Sequence, residues 1–354
     1  MIHNFNAGPS VLPQSVFQQA ASAVINFNNT GLSILEIGHR TPGFIDLMEE
    51  ARALVKELMS LDDNHEVLFL HGGASTQFMQ VPMNLLDNKE TAAYTDTGVW
   101  GAKAIKEAAL FGKVDVVCSS KDQNYSYIPK DFAVPNDAKF LHITTNNTIY
   151  GTQWQNIPFT SNSMVADMSS DILSRKLNFN QFDLIYAGAQ KNMGAAGVNI
   201  VIVNKNILGK VKRRIPTMMD YRNHIPEESI PNTPPLLAVI VCLLTLRWLK
   251  AEGGIAEMEK RNNIKSEMLY NAIDNSKIFK GTAAKEDRSK MNVCFVMDNK
   301  AAEAQFLEYL QPLGIVGIKG HRSVGGFRAS LYNALERSSV EVLVRAMNNF
   351  EHKY

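Results

Sequence analysis

Two residues with complementary chemistry lie about two dozen positions apart near the middle of the chain. Asp167 ends a short apolar run, and Lys191 follows a second apolar run, Leu184–Tyr186, and a few small residues. A lysine amine can form a Schiff base, and a carboxylate can keep a pyridine nitrogen protonated so that the ring accepts electrons. An acid after one strand and a lysine after the next therefore fit the needs of pyridoxal phosphate. The spacing of the two residues alone is also consistent with Lys191 as an ordinary lysine in a solvated loop.

A glycine-rich turn, His71-Gly-Gly-Ala-Ser-Thr76, lies between a predicted strand and a predicted helix. Small residues let backbone N–H groups approach a phosphate, and a helix N-terminus attracts an anion. The turn is not a Walker A loop, because no Gly-Lys-Ser/Thr follows, and it is not a G-x-G-x-x-G motif. An ordinary glycine turn fits this segment equally well.

Trp100 and the segment Asn146–Gly151 are further candidates for ligand contacts. Trp100 lies among glycines, where an indole could stack on a flat heterocycle, although a core tryptophan is the more common alternative. Asn146–Gly151 places polar side chains after the apolar run Phe140–Thr144. These side chains could contact a ligand hydroxyl or could simply form a turn that caps the strand.

Histidine lies beside arginine in a glycine-flanked loop at two places in the chain. One pair is His39-Arg40, and the other is His321-Arg322, which is followed by Arg328. Planar guanidinium groups bind carboxylate and phosphate in a bidentate manner. A single arginine is usually a surface residue, but the repeated pattern favours a small substrate that carries several negative charges.

Short apolar runs alternate with amphipathic segments over residues 13–203. Strands are predicted at Glu66–Leu70, Thr91–Thr95, Val114–Val117, Phe140–Thr144, Ser163–Ala166, Phe182–Tyr186 and Asn199–Val203. Helices are predicted at Pro13–Ala23, Pro42–Leu61, Thr76–Leu86 and Gly101–Phe111. We expect Pro82 to bend or interrupt the third helix. The alternation predicts an α/β fold with a mainly parallel sheet, which binds its ligand at the carboxyl ends of the strands.

The pattern changes near Gly253-Gly254. Before this point, Leu236–Leu246 reads as a helix buried in a large domain or at a subunit interface. After it come predicted helices at Ile255–Asn275, Ala301–Leu313 and Val340–Phe350, and predicted strands at Asn292–Met297 and Phe327–Leu331. We therefore expect an N-terminal arm (1–14) that packs with the small domain, a large cofactor-binding domain (15–254) and a small α+β domain (255–354).

Composition excludes several classes of function. The chain of 354 residues has a net charge of +1, which gives no electrostatic case for nucleic acid or an acidic membrane. Its three cysteines have no metal-ligand spacing, so we expect no metal and reduced, buried thiols, as in the cytoplasm. The N-terminus lacks the pattern of a signal peptide, and the longest apolar run is too short to span a bilayer.

Taken in order, these segments resemble the phosphoserine aminotransferases, a family of class V, fold-type I pyridoxal-phosphate enzymes. The matching segments are FNAGPSVLP, GHRTPGF, HGGASTQF, TGVWGAKA, NNTIYGT, ADMSSDILSR, YAGAQKNMGAAG, NTPP and GHRSVGGFRASLYNA. Each segment is weak evidence alone, whereas the ordered set is specific and covers nearly the whole chain. The resemblance implies fold type I, with a mainly parallel seven-stranded sheet in the large domain and a smaller C-terminal domain.

Carried over by position, the resemblance implies that Lys191 is the Schiff-base lysine and Asp167 the partner of the pyridinium nitrogen. The other implied cofactor contacts are Trp100 on the ring, Thr148 at the ring hydroxyl, and Ala74, Ser75, Gln190, Asn232 and Thr233 at the phosphate. The implied substrate contacts are Arg328 at the α-carboxylate, and His39, Arg40, His321 and Arg322 at the substrate phosphate or the distal carboxylate of glutamate. In the family, the Asn232 and Thr233 positions come from the partner subunit, which implies a homodimer with shared active sites.

The resemblance implies transfer of the amino group of L-glutamate to 3-phosphohydroxypyruvate, which gives O-phospho-L-serine. The family can also use 3-hydroxy-2-oxo-4-phosphonooxybutanoate in vitamin B6 synthesis. Some members carry an arginine at the position of Ser75, so the substrate phosphate must here rely on the His-Arg pairs or on the hydroxyls of Ser75 and Thr76.

Three alternatives remain: a serine– or alanine–glyoxylate transaminase, a cysteine desulfurase, and a non-catalytic phosphate-binding module. Cys242 and Cys294 lie in apolar patterns that do not suit a desulfurase.

Overall fold

The computed structural model describes residues 1–353 as alternating strands and helices. The strands in this range are β1 (His3–Asn4), β2 (His65–His71), β3 (Thr91–Asp96), β4 (Lys113–Ser119), β5 (Phe140–Thr144), β6 (Asn146–Asn147), β7 (Thr152–Gln153), β8 (Ser163–Asp167), β9 (Leu184–Gly188), β10 (Val198–Asn204), β11 (Phe279–Gly281), β12 (Asn292–Met297), β13 (Ile315–Val316) and β14 (Phe327–Ser330). The helices in this range are α1 (Gln14–Ile25), α2 (Pro42–Met59), α3 (Ala74–Leu85), α4 (Val99–Ala108), α5 (Tyr221–His224), α6 (Leu236–Ala251), α7 (Gly254–Asp274), α8 (Lys300–Leu310) and α9 (Arg337–Lys353).

The seven strands predicted over residues 66–203 form one sheet, in the order β2-β10-β9-β8-β5-β3-β4. All neighbouring pairs are parallel except those of β10, which is antiparallel to both β2 and β9. The predicted α/β class and the mainly parallel sheet are therefore confirmed. The carboxyl ends of six strands lie along one edge, which is where such sheets bind ligands.

Most predicted boundaries differ from the structure by a few residues, and three differences have a clear physical reason. Pro82 does not interrupt α3, because it lies in the last turn, where the missing N–H removes a single helical bond. β9 begins at Leu184 rather than Phe182, which follows a 3₁₀ turn, and it continues to Gly188 because that residue pairs with Asn199 of β10. The helix predicted to end at Leu313 changes to a 3₁₀ turn after residue 310.

Helices cover both faces of the sheet. Residues of α1, α2 and α6 share one apolar core with one face, and residues of α3 and α4 share a second core with the other. α6 packs against both α1 and α2, and its central residues 238–246 are all buried, which explains why its sequence is apolar all round. No helix of residues 1–353 has the length and apolar character needed to cross a membrane.

A separate core lies in the C-terminal part of the chain. β11, β12 and β14 form an antiparallel sheet, and residues of α7, α8 and α9 pack with it around Phe279, Phe295 and Phe327. The N-terminal strand β1 pairs in parallel with β13, and Phe5 is fully buried in this same core. Residues at the two ends of the chain therefore stabilise one another. The boundaries at residues 14 and 254 stay predictions.

Candidate active site

Asp167, Lys191, Trp100 and the glycine-rich turn lie at or just beyond the carboxyl ends of parallel strands. β8 ends at Asp167, and β9 ends at Gly188, three residues before Lys191. The turn after β2 leads into α3 at Ala74, and the turn after β3 leads into α4, which carries Trp100. Residues that are far apart in the sequence therefore meet at one edge of the sheet.

Lys191 is held at both ends. Its Nζ donates a hydrogen bond to Thr148 Oγ1 at 2.9 Å and lies 5.9 Å from the centre of the Trp100 ring. Its main chain is held by the N-terminal arm, because Ser10 Oγ donates to the Lys191 carbonyl and Ser10 N donates to Gln190 O at 3.0 Å. The amine therefore extends from a fixed backbone to a position between a hydroxyl and an aromatic ring.

Asp167 is a buried acid, only 5% exposed, and it forms no ion pair within residues 1–353. Its Oδ1 accepts a hydrogen bond from Ser169 N at 2.9 Å, and Ser169 Oγ accepts one from Gly188 N at 3.2 Å. Burial raises the pKa of Asp167, and the positive charge of Lys191 opposes that rise. Burial lowers the pKa of Lys191 to about 8, and the charge of Asp167 opposes that fall. The acid and the amine therefore control each other's charge in surroundings of low polarity.

We expect Lys191 in the cofactor-free protein to react with an acylating reagent at a lower pH than an ordinary lysine. Only the neutral amine is nucleophilic, and a pKa of about 8 makes half of it neutral at that pH. A lysine in water reaches the same fraction near pH ~10.4. The measurement is the fraction of Lys191 modified at each pH, obtained by peptide mass spectrometry. A midpoint at the ordinary value would contradict the enclosed position of the amine.

Hydrogen-bonding groups converge beside Gly188, where a phosphate could bind. A Cβ at Gly188 would lie 2.8 Å from Gln190 Oε1 and 3.4 Å from Ala74 N, so a side chain there would fill this space. The N–H groups in the first turn of a helix have no partner within the helix and bind anions well. Those of Ala74 and Ser75 occupy this position at the start of α3.

Asp171, a buried acid, holds the loop that carries Thr148. β6 and β7 pair as a short hairpin, and Thr148 lies in its turn. Asp171 Oδ1 accepts a hydrogen bond from Thr145 Oγ1 at 2.5 Å, just before the first arm of the hairpin. Asp171 Oδ2 accepts one from Gln153 Nε2 at 3.1 Å, on the second arm, and Arg175 Nη2 lies 3.4 Å from the same oxygen. One carboxylate therefore fixes both arms.

Replacing Asp171 with asparagine is expected to lower the free energy of unfolding by about 3–5 kcal/mol. The reason is that Arg175 keeps its charge and loses its partner, while its side chain is only 9% exposed. Denaturant-induced unfolding, followed by circular dichroism, measures the change. Glu57→Gln is the matched control, because Glu57 pairs with Lys250 on the surface and its loss should change stability by about 0.5 kcal/mol or less. Equal losses in the two variants would contradict the anchoring role of Asp171.

Loop 320–326 carries the second His-Arg pair and leads into Arg328 on β14. Arg328 Nε is buried and has no hydrogen-bond partner within residues 1–353. Burial lowers the pKa of His321, and the charges of Arg328 and Arg322 add to this shift. Lys103 acts on His321 in the same direction from α4. Three cations therefore act on His321, and an anion is the ligand that this arrangement favours.

Four predicted contacts lie apart from this cluster in the single chain. Asn232 and Thr233 are exposed in the segment before α6, and Arg40 is exposed before α2. His39 is half-buried, and its Nε2 has no hydrogen-bond partner within residues 1–353. No hydrogen bond or ion pair in that range joins any of the four to Lys191 or its neighbours. Their roles stay predictions, and the positions are accessible to a partner subunit.

Three residues that hold the site were missed by the sequence reasoning: Ser10, Ser169 and Asp171. Ser10 belongs to the FNAGPSVLP segment, and the other two belong to ADMSSDILSR, so each lies in a segment that had been singled out. Their hydrogen-bond partners are distant in the sequence, and Ser10 reaches across 181 residues to Lys191. The periodic pattern of apolar residues, which predicts strands and helices, does not predict such contacts.

The residues fit pyridoxal phosphate on features of this structure alone. Trp100 Nε1 and Arg328 Nε are buried polar atoms without partners, and Asp167 is a buried acid without an ion pair in the described range. A nucleophilic amine, an aromatic face, a buried acid and a helix N-terminus are the groups that an anionic, aldehyde-bearing pyridine needs. The described residues contain no cluster of His, Cys, Asp and Glu that could hold a metal ion.

Known proteins agree with this assignment. The sequence model of the class-V aminotransferases matches residues 2–343. Over 352 residues, the chain is 55% identical to the phosphoserine aminotransferase of Flavobacterium johnsoniae, covering 99% of each protein. The structure of phosphoserine aminotransferase from Bacillus circulans subsp. alkalophilus has a TM-score of 0.97 and 40% identity, and the match covers 100% of this chain and 99% of that one.

A phosphoserine aminotransferase from Trichomonas vaginalis, solved with pyridoxal phosphate bound, has a TM-score of 0.93 and 34% identity. This match covers 98% of this chain and 100% of that chain. The predicted class of enzyme and the predicted cofactor are therefore confirmed. The chain belongs to the phosphoserine aminotransferase family of the class V aminotransferases, and it uses pyridoxal phosphate.

Proposed function

We propose that the protein transfers the amino group of L-glutamate to 3-phosphohydroxypyruvate, which yields O-phospho-L-serine and 2-oxoglutarate. The observation that carries this proposal is the position of Lys191 Nζ, between Thr148 Oγ1 and the Trp100 ring, in a chain 55% identical to a phosphoserine aminotransferase. The basic groups around Arg328 support a substrate with several negative charges. This reaction would serve serine biosynthesis.

Each group of the site has a proposed role in holding the cofactor. The amides of Ala74 and Ser75 and the side chain of Gln190 bind its phosphate, and Thr148 contacts its ring hydroxyl. Trp100 stacks on the ring. Asp167 forms a charge-assisted bond to the ring nitrogen, because a buried carboxylate without an ion pair gains most from such a partner.

The bound cofactor supplies an electron sink for the bond that is broken at the α-carbon of the amino acid. Lys191 Nζ takes the proton from that carbon, because the neutral amine is well populated near pH 8. Thr148 Oγ1 orients the amine, and Asp167 keeps a negative charge nearby. Arg328 binds the α-carboxylate of each substrate in turn, so the two half-reactions use the same groups and the kinetics are ping-pong.

We further propose a homodimer in which the partner completes each active site. Within residues 1–353, Asn232 and Thr233 are exposed and form no hydrogen bond with Lys191, and the resemblance implies a role for them at the cofactor phosphate. His39 and Arg40 also lie apart from the cluster, and a second subunit could bring them to it. Analytical ultracentrifugation tests the dimer. The cytoplasmic location stays a prediction.

The experiment that tests the function follows the visible spectrum of the protein loaded with pyridoxal phosphate. We expect the absorption of the lysine-bound cofactor to fade when L-glutamate is added and to return with 3-phosphohydroxypyruvate. A return only with glyoxylate or pyruvate would instead identify a glyoxylate- or pyruvate-dependent transaminase. Absence of a lysine-bound chromophore would favour a non-catalytic phosphate-binding module. The same titration with 3-hydroxy-2-oxo-4-phosphonooxybutanoate tests the substrate of vitamin B6 synthesis.

A further inference from the structure

Lys103 lies on α4 beside the candidate site. It is three residues after Trp100, so the two side chains share one face of the helix. Its Nζ lies 4.4 Å from the centre of the Trp100 ring, while Lys191 Nζ lies 5.9 Å from the same point. An indole that borders the reactive amine therefore also borders the ammonium group of Lys103.

No acidic side chain among residues 1–353 forms an ion pair with Lys103, and even Glu107, one turn further along the helix, does not pair with it. His321, Arg322 and Arg328 form no ion pair in that range either. We call Lys103, His321, Arg322 and Arg328 the basic rim.

Lys103 borders the candidate site through the Trp100 ring, from the centre of which its Nζ lies 4.4 Å. Its positive charge acts on His321, as do the charges of Arg328 and Arg322. Lys103 is exposed, so its ammonium group can move toward a ligand. The glycine-rich turn supplies the hydroxyls of Ser75 and Thr76 but no permanent cation. Within one subunit, the positive charges available to a highly charged substrate are therefore those of the basic rim.

We propose that Lys103 binds the phosphate of the phosphorylated substrate and thereby helps the protein to prefer this substrate over a dicarboxylate. This proposal rests on the proposed function. A phosphate has three terminal oxygens and a charge near −2, so it needs more donors than a bidentate arginine provides. A carboxylate has two oxygens and a single charge, which one guanidinium group can satisfy.

The test compares Lys103→Gln with Lys106→Gln in the cofactor-loaded protein. Lys106 is exposed on the same helix, so both changes remove one charge and neither is expected to disturb the core. The half-reactions with O-phospho-L-serine and with L-glutamate are followed separately by the cofactor spectrum. We expect Lys103→Gln to lower kcat/KM about tenfold for O-phosphoserine and less than about twofold for glutamate, as the loss of a charge-assisted bond predicts. Lys106→Gln should change neither value, and Lys103→Arg should restore most of the loss.

Binding of inorganic phosphate to the loaded protein, measured by calorimetry, gives a second readout that does not depend on turnover. Lys103→Gln should weaken it, whereas Lys106→Gln should leave it unchanged. Equal behaviour of the two glutamine variants overturns the proposal, and so does an equal loss for both substrates in Lys103→Gln. A wild-type protein that reacts with glutamate but not with O-phosphoserine overturns the proposed function itself.

Discussion

Replacing Lys191 with alanine is expected to lower multiple turnover by at least about 10³-fold. The variant loses the amine that bonds to Thr148 Oγ1 and that is neutral enough near pH 8 to take a proton. Within residues 1–353, the only other cation over the Trp100 ring is Lys103, which is exposed on α4 and forms no bond to Thr148. Steady-state kinetics with glutamate and 3-phosphohydroxypyruvate measures the loss.

The spectrum of the same variant separates a chemical role from a binding role. Lys191→Ala should still bind pyridoxal phosphate through the other proposed contacts, but without the absorption of a lysine-bound cofactor. Lys191→Arg keeps the positive charge and cannot form the Schiff base, so it should be as inactive as the alanine variant. Multiple turnover at near wild-type rate in either variant would contradict the assignment of Lys191 as the Schiff-base lysine. Unchanged thermal unfolding shows that the fold is intact.

Much of the architecture could be predicted because each central strand is a short apolar run between turn residues. Phe140–Thr144 was placed without error, and all its residues are buried, as expected for a strand covered on both faces. Asp167 and Lys191 could be located near strand ends for the same reason, since Asp167 is the last residue of β8 and Lys191 lies three residues after β9. The sheet order does not follow from such local patterns. β10 pairs with both β2 and β9, so the last strand of this sheet in the sequence lies beside the first one.

The supports of the site were harder to predict, because they depend on contacts between distant segments. Asp171 reads as one more acid in a polar turn, and only the folded chain places it between Thr145 and Gln153. The position of Lys265 could not be predicted from local sequence either. It lies on α7, where the sequence indicated a charged helix, yet it is buried and donates to the carbonyls of Leu331, Tyr332 and Leu335. Charge along a helix does not reveal which cation the core will enclose.

Replacing Asp167 with asparagine is expected to lower kcat by about 10²-fold or more, with the fold preserved. Asparagine has nearly the same shape, and its Oδ1 can still accept the hydrogen bond from Ser169 N. The variant loses the negative charge of a residue that is only 5% exposed. In such buried surroundings, electrostatic interactions are stronger than in water. The measurement is steady-state kinetics with glutamate and 3-phosphohydroxypyruvate. Asp183→Asn, at a partly exposed acid that pairs with Asn204, is the matched control and should retain activity.

The charge of Asp167 also has a consequence that can be measured without the cofactor. Asp167 opposes the fall in the pKa of Lys191, so its removal should move that pKa further down from about 8. The acylation midpoint of Lys191 in the cofactor-free Asp167→Asn protein should therefore lie at a lower pH than in the wild type. Slow turnover together with an unshifted midpoint would mean that the two groups are not coupled. A lower midpoint together with slow turnover would mean that both effects arise from the buried charge of Asp167. That charge would then raise the pKa of Lys191 before the cofactor binds and stabilise the protonated ring nitrogen afterwards.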